Sequence, residues 1–130
     1  MADPGRSLDE LAAADNAART LGVVVVEARP GSVEVGLTVT ESMLNFGGTC
    51  HGGVLFQLAD TAMSYVSNQD RSMSVATAAN IDFVSPAVKG DELRAVVTTT
   101  LDGRNAIHDG TITVDDRVIA LFRGKTLRLK

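Results

Sequence analysis

Residues 45–68 of the chain read NFGGTCHGGVLFQLADTAMSYVSN, and this stretch decides the fold. Its first nine positions contain four glycines, a composition typical of a loop. From Val54 to Asn68 the sequence contains no glycine or proline and is apolar on nearly every side, as in a buried helix. The stretch therefore predicts a glycine-rich loop that leads directly into a buried helix.

The rest of the chain predicts mainly strands. The segment Leu8–Leu21, with Ser7 as N-cap, predicts one short helix. Stretches rich in β-branched residues, separated by turn residues, predict strands at 23–27, 33–39, 75–84, 93–101, 107–114 and 118–127. Consecutive strands joined by short turns favour an antiparallel sheet, and the long helix must then lie across one of its faces. The predicted fold class is therefore α+β.

The composition restricts the class of protein. With 130 residues the chain has the length of one domain, and its 45% hydrophobic and 22% charged residues are ordinary for a globular protein. A net charge of −4 disfavours nucleic acid as a partner. No apolar run approaches the roughly 20 residues of a membrane span, so no membrane partner is expected. The single cysteine, Cys50, and the lack of a signal-peptide pattern predict a cytoplasmic protein.

The predicted helix carries one narrow hydrophilic stripe. Its members fall within a sector of roughly 80° on a helix of 3.6 residues per turn: Gly53, Gln57, Asp60, Ser64 and Ser67. Asp60 has no Lys or Arg at i±3 or i±4, and an unpaired carboxylate on a buried helix costs free energy. Asp60 therefore either lies at a water-exposed seam, bonded to Thr61 or Ser64, or has a chemical function.

A second feature lies at the start of the helix, at His51-Gly52-Gly53. Free N–H groups and the positive end of the helix dipole can stabilise a developing oxyanion there. An oxyanion hole and a carboxylate are two parts of an acyl-transfer site, but Gly52 and Asp60 lie about 12 Å apart along a helix. Because one carbonyl cannot contact both groups of one chain, we predict a two-fold dimer that pairs Gly52 of one chain with Asp60 of the other.

These residues resemble a known motif. The pattern Asn45-x5-His51-Gly52-Gly53-x4-Leu58-Ala59-Asp60 is similar to that of the hotdog-fold acyl-CoA thioesterases, specifically the phenylacetate-pathway (PaaI-type) group. The similarity continues through residues 80–87, 90–91 and 120–124. It implies a hotdog fold, in which a curved antiparallel sheet wraps one long central helix. Residues 22–130 would form this thioesterase domain and residues 1–21 an N-terminal helical segment.

The resemblance also implies an activity and an assembly. The expected reaction is hydrolysis of an acyl-CoA whose acyl group is aromatic, such as phenylacetyl or hydroxyphenylacetyl, or of medium length. Coenzyme A takes part only within substrate and product, with no metal or other cofactor. The expected assembly is a homodimer with shared sites that doubles into a tetramer. The alternatives are a hotdog acyl-CoA hydratase or dehydratase, whose loop typically contains proline, and a non-catalytic acyl-CoA-binding protein, which would lack a competent Asp60.

Roles for individual residues follow from the resemblance. It places the catalytic carboxylate on Asp60, the carbonyl-polarising backbone N–H on Gly52 and the loop asparagine on Asn45. It further implies a water-positioning hydroxyl on Ser64 and the motif histidine on His51, which either fixes the loop or contacts the thioester. Asp60 either attacks the thioester carbon or deprotonates a water, and both roles require the same geometry.

Other residues are expected to contact the substrate. Phe46 departs from the small or polar residue common at this place in the family and is expected to reshape the acyl pocket. Gly53 and Gln57 adjoin the reacting groups on the polar stripe. Three basic residues are expected to contact the phosphates of coenzyme A: Arg104, Arg123 and Lys125.

Two reactive residue types are interpreted as structural. Cys50 is adjacent to His51, but residues adjacent in sequence usually point to different sides, and a lone cysteine is more often a small buried hydrophobe. His108 lies on a predicted strand and is expected to be structural or solvent-facing. The glycines fit neither common nucleotide-binding pattern, so no phosphate loop is predicted.

Overall fold

The computed structural model describes residues 4–129. In chain order its elements are α1 (Leu8–Ala14), α2 (Asn16–Leu21), β1 (Val24–Arg29), β2 (Ser32–Thr38), a 3₁₀ turn (Glu41–Met43), α3 (Gly52–Asn68), β3 (Ser74–Phe83), β4 (Glu92–Leu101), β5 (Asn105–Val114) and β6 (Arg117–Arg128). The predicted loop and long helix are confirmed, with α3 starting two residues before the predicted Val54.

The described strands form one antiparallel sheet in the order β1-β2-β4-β5-β6-β3. Strand β3 follows α3 in the chain but pairs with β6 at the far end of the sheet. The sheet curves around α3, whose side chains pack against strands from both of its halves. This arrangement confirms the predicted α+β class and the hotdog fold.

Alternating burial shows which side of the sheet faces the helix. In β5 every second residue is buried, as expected for a strand with one face on the core. In β4 the alternate residues Leu93, Ala95 and Val97 are buried. Simple alternation would place Leu101 on the same face, but it is exposed, because a bulge between Thr99 and Leu101 shifts the register.

Close packing between α3 and β6 fixes the position of the helix. A Cβ at Gly124 of β6 would overlap the sulfur of Met63 on α3, so only glycine allows this approach. Nearby, the rings of Phe56 and Phe122 meet edge to face with centroids 5.9 Å apart. These contacts hold one side of α3 against the sheet.

The N-terminal segment contains two helices rather than the single predicted helix Leu8–Leu21. Asp15 interrupts it with φ −86° and ψ 85°, and its carboxylate accepts a hydrogen bond from the Ala18 N–H at 3.0 Å. An Asp side chain that caps a new helix competes with continuation of the old one. The predicted N-cap Ser7 is confirmed and forms a capping box with Glu10. The division into an N-terminal segment and a separate domain stays a prediction.

The two edges of the sheet differ in length and chemistry. Strand β1 has six residues, among them the charged Glu27 and Arg29. Strand β3 has ten residues with Asp82 as its single charge, and only Ser74 is buried. Long edge strands with few charges readily pair with another chain. The β3 edge is therefore the better suited of the two to pair with a second copy.

Candidate active site

The first turn of α3 presents one unused backbone donor. His51 is the N-cap, and its Nδ1 accepts a hydrogen bond from the Gly53 N–H at 2.8 Å. The Gly52 N–H finds no acceptor among residues 4–129. An unsatisfied N–H at a helix N-terminus is suited to an oxygen that gains negative charge. The Gly53 N–H is therefore occupied by His51, whereas the Gly52 N–H is available to a ligand.

The loop before α3 is held in shape by Asn45. Its side-chain oxygen accepts hydrogen bonds from the Gly47 N–H at 2.9 Å and the Thr49 N–H at 3.2 Å, and its amide donates to the Thr49 hydroxyl. Asn45 and Gly52 also line one cavity of about 440 Å³, together with Phe83 of β3. No charged residue is among the described residues that line this cavity.

Asp60 lies in the middle of α3 and is half-buried. Its carboxylate accepts no hydrogen bond from the described part of the chain. Burial raises the pKa of Asp60, and the negative charge of Asp15 raises it further. Asp60 lines a cavity of about 280 Å³ between α3 and the start of β3, where it is the one charged group among the described lining residues.

The N-terminal segment brings Asp15 to α3. The Tyr65 hydroxyl of α3 donates a hydrogen bond to Asp15 at 3.0 Å. Local sequence patterns do not predict this pair, because the two residues lie far apart in the chain. The available signal was a single tyrosine on an otherwise apolar helix face, since a buried Tyr hydroxyl usually has a partner.

Most of the predicted polar stripe is accessible. Ser64 is exposed, one turn after Asp60, and borders the same cavity, while Gln57 is half-buried. Ser67 departs from the prediction because it is buried, where its hydroxyl donates to the Thr126 hydroxyl at 3.0 Å and is hydrogen-bonded to the Ser74 hydroxyl. Internal partners therefore satisfy Ser67, and the accessible stripe ends near Ser64.

One chain does not bring the two predicted reacting groups together. The cavity that contains Gly52 and the cavity that contains Asp60 share no described lining residue. This separation agrees with the length of about 12 Å estimated along the helix. Another cavity, of about 590 Å³, lies near the other end of α3 beside Arg71 and Asp102, and none of its described lining residues is a predicted site residue.

The remaining predicted substrate contacts lie outside both cavities. Phe46 is fully exposed at the tip of its loop. Arg123 forms a two-pronged ion pair with Asp109, with N–O distances of 2.7 and 3.1 Å. Arg104 and Lys125 are exposed on the surface. Contacts between these residues and a substrate stay predictions.

The structural interpretations of His108 and Cys50 agree with their surroundings. His108 is buried between the hydroxyls of Thr99 and Thr126, at 3.0 and 2.9 Å from its two ring nitrogens. Burial lowers its pKa, which favours the neutral ring. Cys50 is buried, and burial raises the pKa of its thiol to about 11, so it is not poised as a thiolate nucleophile.

The described residues contain neither a metal-binding cluster nor a membrane-spanning helix. Within residues 4–129, no three His, Cys, Asp or Glu side chains are grouped so that they could hold a metal ion. In the same range, none of the helices has both the length and the apolar character needed to cross a membrane.

The fold defines a class of protein, and comparison with known families agrees. The family model described as the thioesterase superfamily matches residues 47–118. Because this match spans more than half of the chain, the protein belongs to the thioesterase superfamily. The predicted family is confirmed.

Similarity to individual proteins narrows the activity. Acyl-coenzyme A thioesterase PaaI of Escherichia coli (strain K12) is 38% identical over 117 residues, which cover 88% of this chain and 84% of the relative. The solved structure of the E. coli PaaI protein from the phenylacetic acid degradation operon matches with a TM-score of 0.91 and 37% identity, covering 94% of this chain and 90% of that one.

A structure with a bound ligand also matches. A Streptococcus mutans UA159 protein bound to acetyl-CoA superposes with a TM-score of 0.79 and 26% identity, covering 82% of this chain and 88% of that one. Together with the PaaI relatives, these similarities confirm the predicted enzyme class. The chain is an acyl-CoA thioesterase of the PaaI type.

Proposed function

We propose that the enzyme hydrolyses aromatic acyl-CoA thioesters, such as phenylacetyl- or hydroxyphenylacetyl-CoA, or medium-chain ones, and that Asp60 carries the reaction. The state of this carboxylate supports the proposal. It is half-buried, has a raised pKa and lacks a hydrogen-bond donor among the described residues. A carboxylate kept in such surroundings costs stability, and groups of this kind cluster at functional sites.

The proposed mechanism divides the work between a backbone donor and a carboxylate. The Gly52 N–H donates to the thioester carbonyl oxygen and stabilises the charge of the tetrahedral intermediate. Asp60 either attacks the carbonyl carbon, forming an anhydride that water then hydrolyses, or removes a proton from the attacking water. Coenzyme A leaves as the thiolate and takes up a proton, from Asp60 if Asp60 has deprotonated the water and from solvent if Asp60 has attacked directly. The Ser64 hydroxyl positions the water. His51 fixes the first turn by accepting the Gly53 N–H.

A second copy of the chain completes each site in this proposal. The Gly52 and Asp60 cavities are separate in one chain, and residues of β3 line both of them. Pairing of two β3 edges about a two-fold axis would lay two α3 helices antiparallel and bring Gly52 of one copy to Asp60 of the other. The length and low charge of the β3 edge support this pairing.

The same two-fold arrangement gives Phe46 a proposed role. The loop that contains Phe46 ends at Gly52, where α3 begins, so bringing Gly52 to Asp60 of the second copy also brings this loop close to that copy. Phe46 has no cover in its own chain, and a fully exposed phenylalanine gains free energy when another surface covers it. We place it over the acyl pocket of the second copy, and we propose that Gly53 and Gln57 contact the substrate beside the reacting groups.

The dimer is further proposed to double into a tetramer through the outer face of the sheet. On that face Val96, Thr111 and Leu121 are neighbours in register across β4, β5 and β6. Val96 and Leu121 are exposed apolar side chains, and covering such a patch would contribute to association.

Three exposed cations are proposed to contact the phosphates of coenzyme A: Arg104, Arg123 and Lys125.

Location and cofactor use complete the proposal. A single buried cysteine is compatible with a reducing compartment, and we propose the cytoplasm. The chemistry uses Asp60 and a backbone N–H, so it requires no resident cofactor, and coenzyme A enters with the substrate.

The test is thiol release, followed with Ellman's reagent across a panel of aromatic and straight-chain acyl-CoAs. Asp60→Asn should lower kcat by at least about 100-fold, as expected when a general base or nucleophile is removed. Asp70→Asn is the matched control, because Asp70 is an exposed aspartate just beyond the end of α3. Full activity in Asp60→Asn would overturn the role of Asp60. Binding of acyl-CoA without turnover by the wild type would favour the acyl-CoA-binding alternative.

A further inference from the structure

The Asp60 cavity adjoins a second cavity of about 270 Å³ on the side of the N-terminal segment. Four residues line both cavities: Ser64, Asn68, Met73 and Ser74. Arg6 and Leu11 of the N-terminal segment, and Arg71 after α3, also line the second cavity. We call these two adjoining cavities between α3, β3 and the N-terminal segment the N-terminal trough.

We propose that the N-terminal trough receives the far end of the acyl group and that Leu11 limits the acyl length that the enzyme accepts. This inference rests on the proposed function, because it assumes that the thioester carbon lies at Asp60. It adds a specificity role for the N-terminal helical segment, which contributes no residue to the proposed reaction itself.

Several polar side chains of the trough have partners within the chain, among them Arg71, which forms an ion pair with Asp102 at 3.0 Å. The Asn68 amide donates to the backbone oxygens of Ser64 and Ser74, at 2.9 and 3.2 Å, and its oxygen accepts from the Ser74 N–H at 2.8 Å. The Ser74 hydroxyl is bonded to that of Ser67. Side chains that already form hydrogen bonds within the chain have few donors and acceptors left for a ligand. Leu11 and Met73, which is 61% exposed, are the apolar side chains that line the second cavity.

An apolar chain suits this lining. A hydrocarbon segment that covers Leu11 and Met73 removes apolar surface from water on both sides, which favours binding. The unbranched Met side chain can adjust to different chains. From Asp60 to Asn68, which lines both cavities, α3 rises about 12 Å, which suits an acyl chain of medium length.

Helix α1, which carries Leu11, is held in place at both of its ends. The Arg6 carbonyl accepts a hydrogen bond from the Asp70 N–H at 2.7 Å. At the other end of α1, Asp15 accepts from the Tyr65 hydroxyl. Between these anchors, Leu8 and Leu11 pack against the core. Because α1 is fixed at both ends, Leu11 can exclude acyl chains that are too long. A mobile α1 would move aside and admit them.

The test measures kcat/KM for straight-chain acyl-CoAs from butyryl to palmitoyl. Leu11→Ala should raise the ratio of dodecanoyl- to hexanoyl-CoA hydrolysis at least about tenfold, since each methylene accommodated in an apolar pocket is worth about that factor. Leu11→Phe should shift the ratio in the opposite direction. Leu8→Ala is the matched control, because Leu8 is a leucine of the same helix that packs on the core without lining the trough.

The outcomes separate this inference from the function on which it rests. Hydrolysis of acyl-CoAs by all variants, with the wild-type length ratio in both Leu11→Ala and Leu11→Phe, would overturn the inference and leave the function intact. Failure of the wild type to hydrolyse any acyl-CoA would overturn the proposed function itself. A ratio that moves equally in Leu8→Ala and Leu11→Ala would show general loosening of the segment and would also contradict the role of Leu11.

Discussion

The two halves of α3 carry opposite kinds of chemistry. The first turn offers the Gly52 backbone donor in a cavity whose described lining contains no charged side chain. The second half offers the Asp60 carboxylate beside the N-terminal segment, in a cavity without a described cation. The Gly52 N–H can stabilise negative charge on a substrate oxygen. The Asp60 carboxylate can act as a nucleophile or a general base. In the proposed mechanism each chain therefore carries two half-sites, and a complete site forms when Gly52 of one copy meets Asp60 of another.

The largest expected effect comes from removing the Gly52 backbone N–H. Gly52→Pro deletes the N–H at the first helical position, where proline is tolerated. We expect kcat to fall by about 100- to 1,000-fold, as for other lost oxyanion-hole donors. Gly52→Ala is the control, because it keeps the N–H but adds a Cβ 2.9 Å from the Phe83 ring. Equal losses in both variants would indicate crowding of Phe83 and contradict the role of the donor.

A second prediction separates the two edges of the sheet. Ala79→Lys places a charge in the middle of β3, so it should shift the protein to monomers and reduce activity with them. Ala28→Lys makes the same change on β1, where we expect the dimer to persist. Both alanines are exposed. Sedimentation velocity measures the outcome, and a dimer retained by Ala79→Lys but lost by Ala28→Lys would move the interface to the other edge.

The smallest expected effect concerns the pKa of Asp60. The negative charge of Asp15 raises this pKa, so Asp15→Asn should lower it. Because Asp60 acts in its ionised form, the acid limb of the kcat/KM profile should then move to lower pH. Tyr65→Phe is the control, since it removes the hydrogen bond to Asp15 but keeps the charge. An acid limb that stays in place in Asp15→Asn would show that Asp15 does not influence Asp60.

Local sequence signals were sufficient for much of the fold and of the proposed site. The glycines before Val54 and the apolar run after it are local features, and they placed the loop and α3 closely. Asp60 was identified because its neighbours one turn away offered no partner. The separation of Gly52 and Asp60 followed from helix geometry alone.

Local sequence patterns do not predict contacts between residues that are far apart in the chain. The sequence shows that β3 is a strand, but its pairing with β6 depends on how the chain closes around α3. The break at Asp15 and its bond to Tyr65 join residues fifty positions apart. The burial of Ser67 depends on Thr126 of β6. Helical periodicity alone placed Ser67 on the exposed stripe, because it does not include the strands that cover the helix.

The most direct test of sharing in trans mixes two inactive proteins. Gly52→Pro and Asp60→Asn are combined under conditions that allow subunits to exchange. If each site takes Gly52 from one chain and Asp60 from the other, a mixed dimer has one site with both lesions and one site with neither. Activity should then return, to about a quarter of the wild-type value for random exchange of two-fold dimers. If the mixture stays inactive although exchange and folding are demonstrated, each site is built within one chain and the account is contradicted.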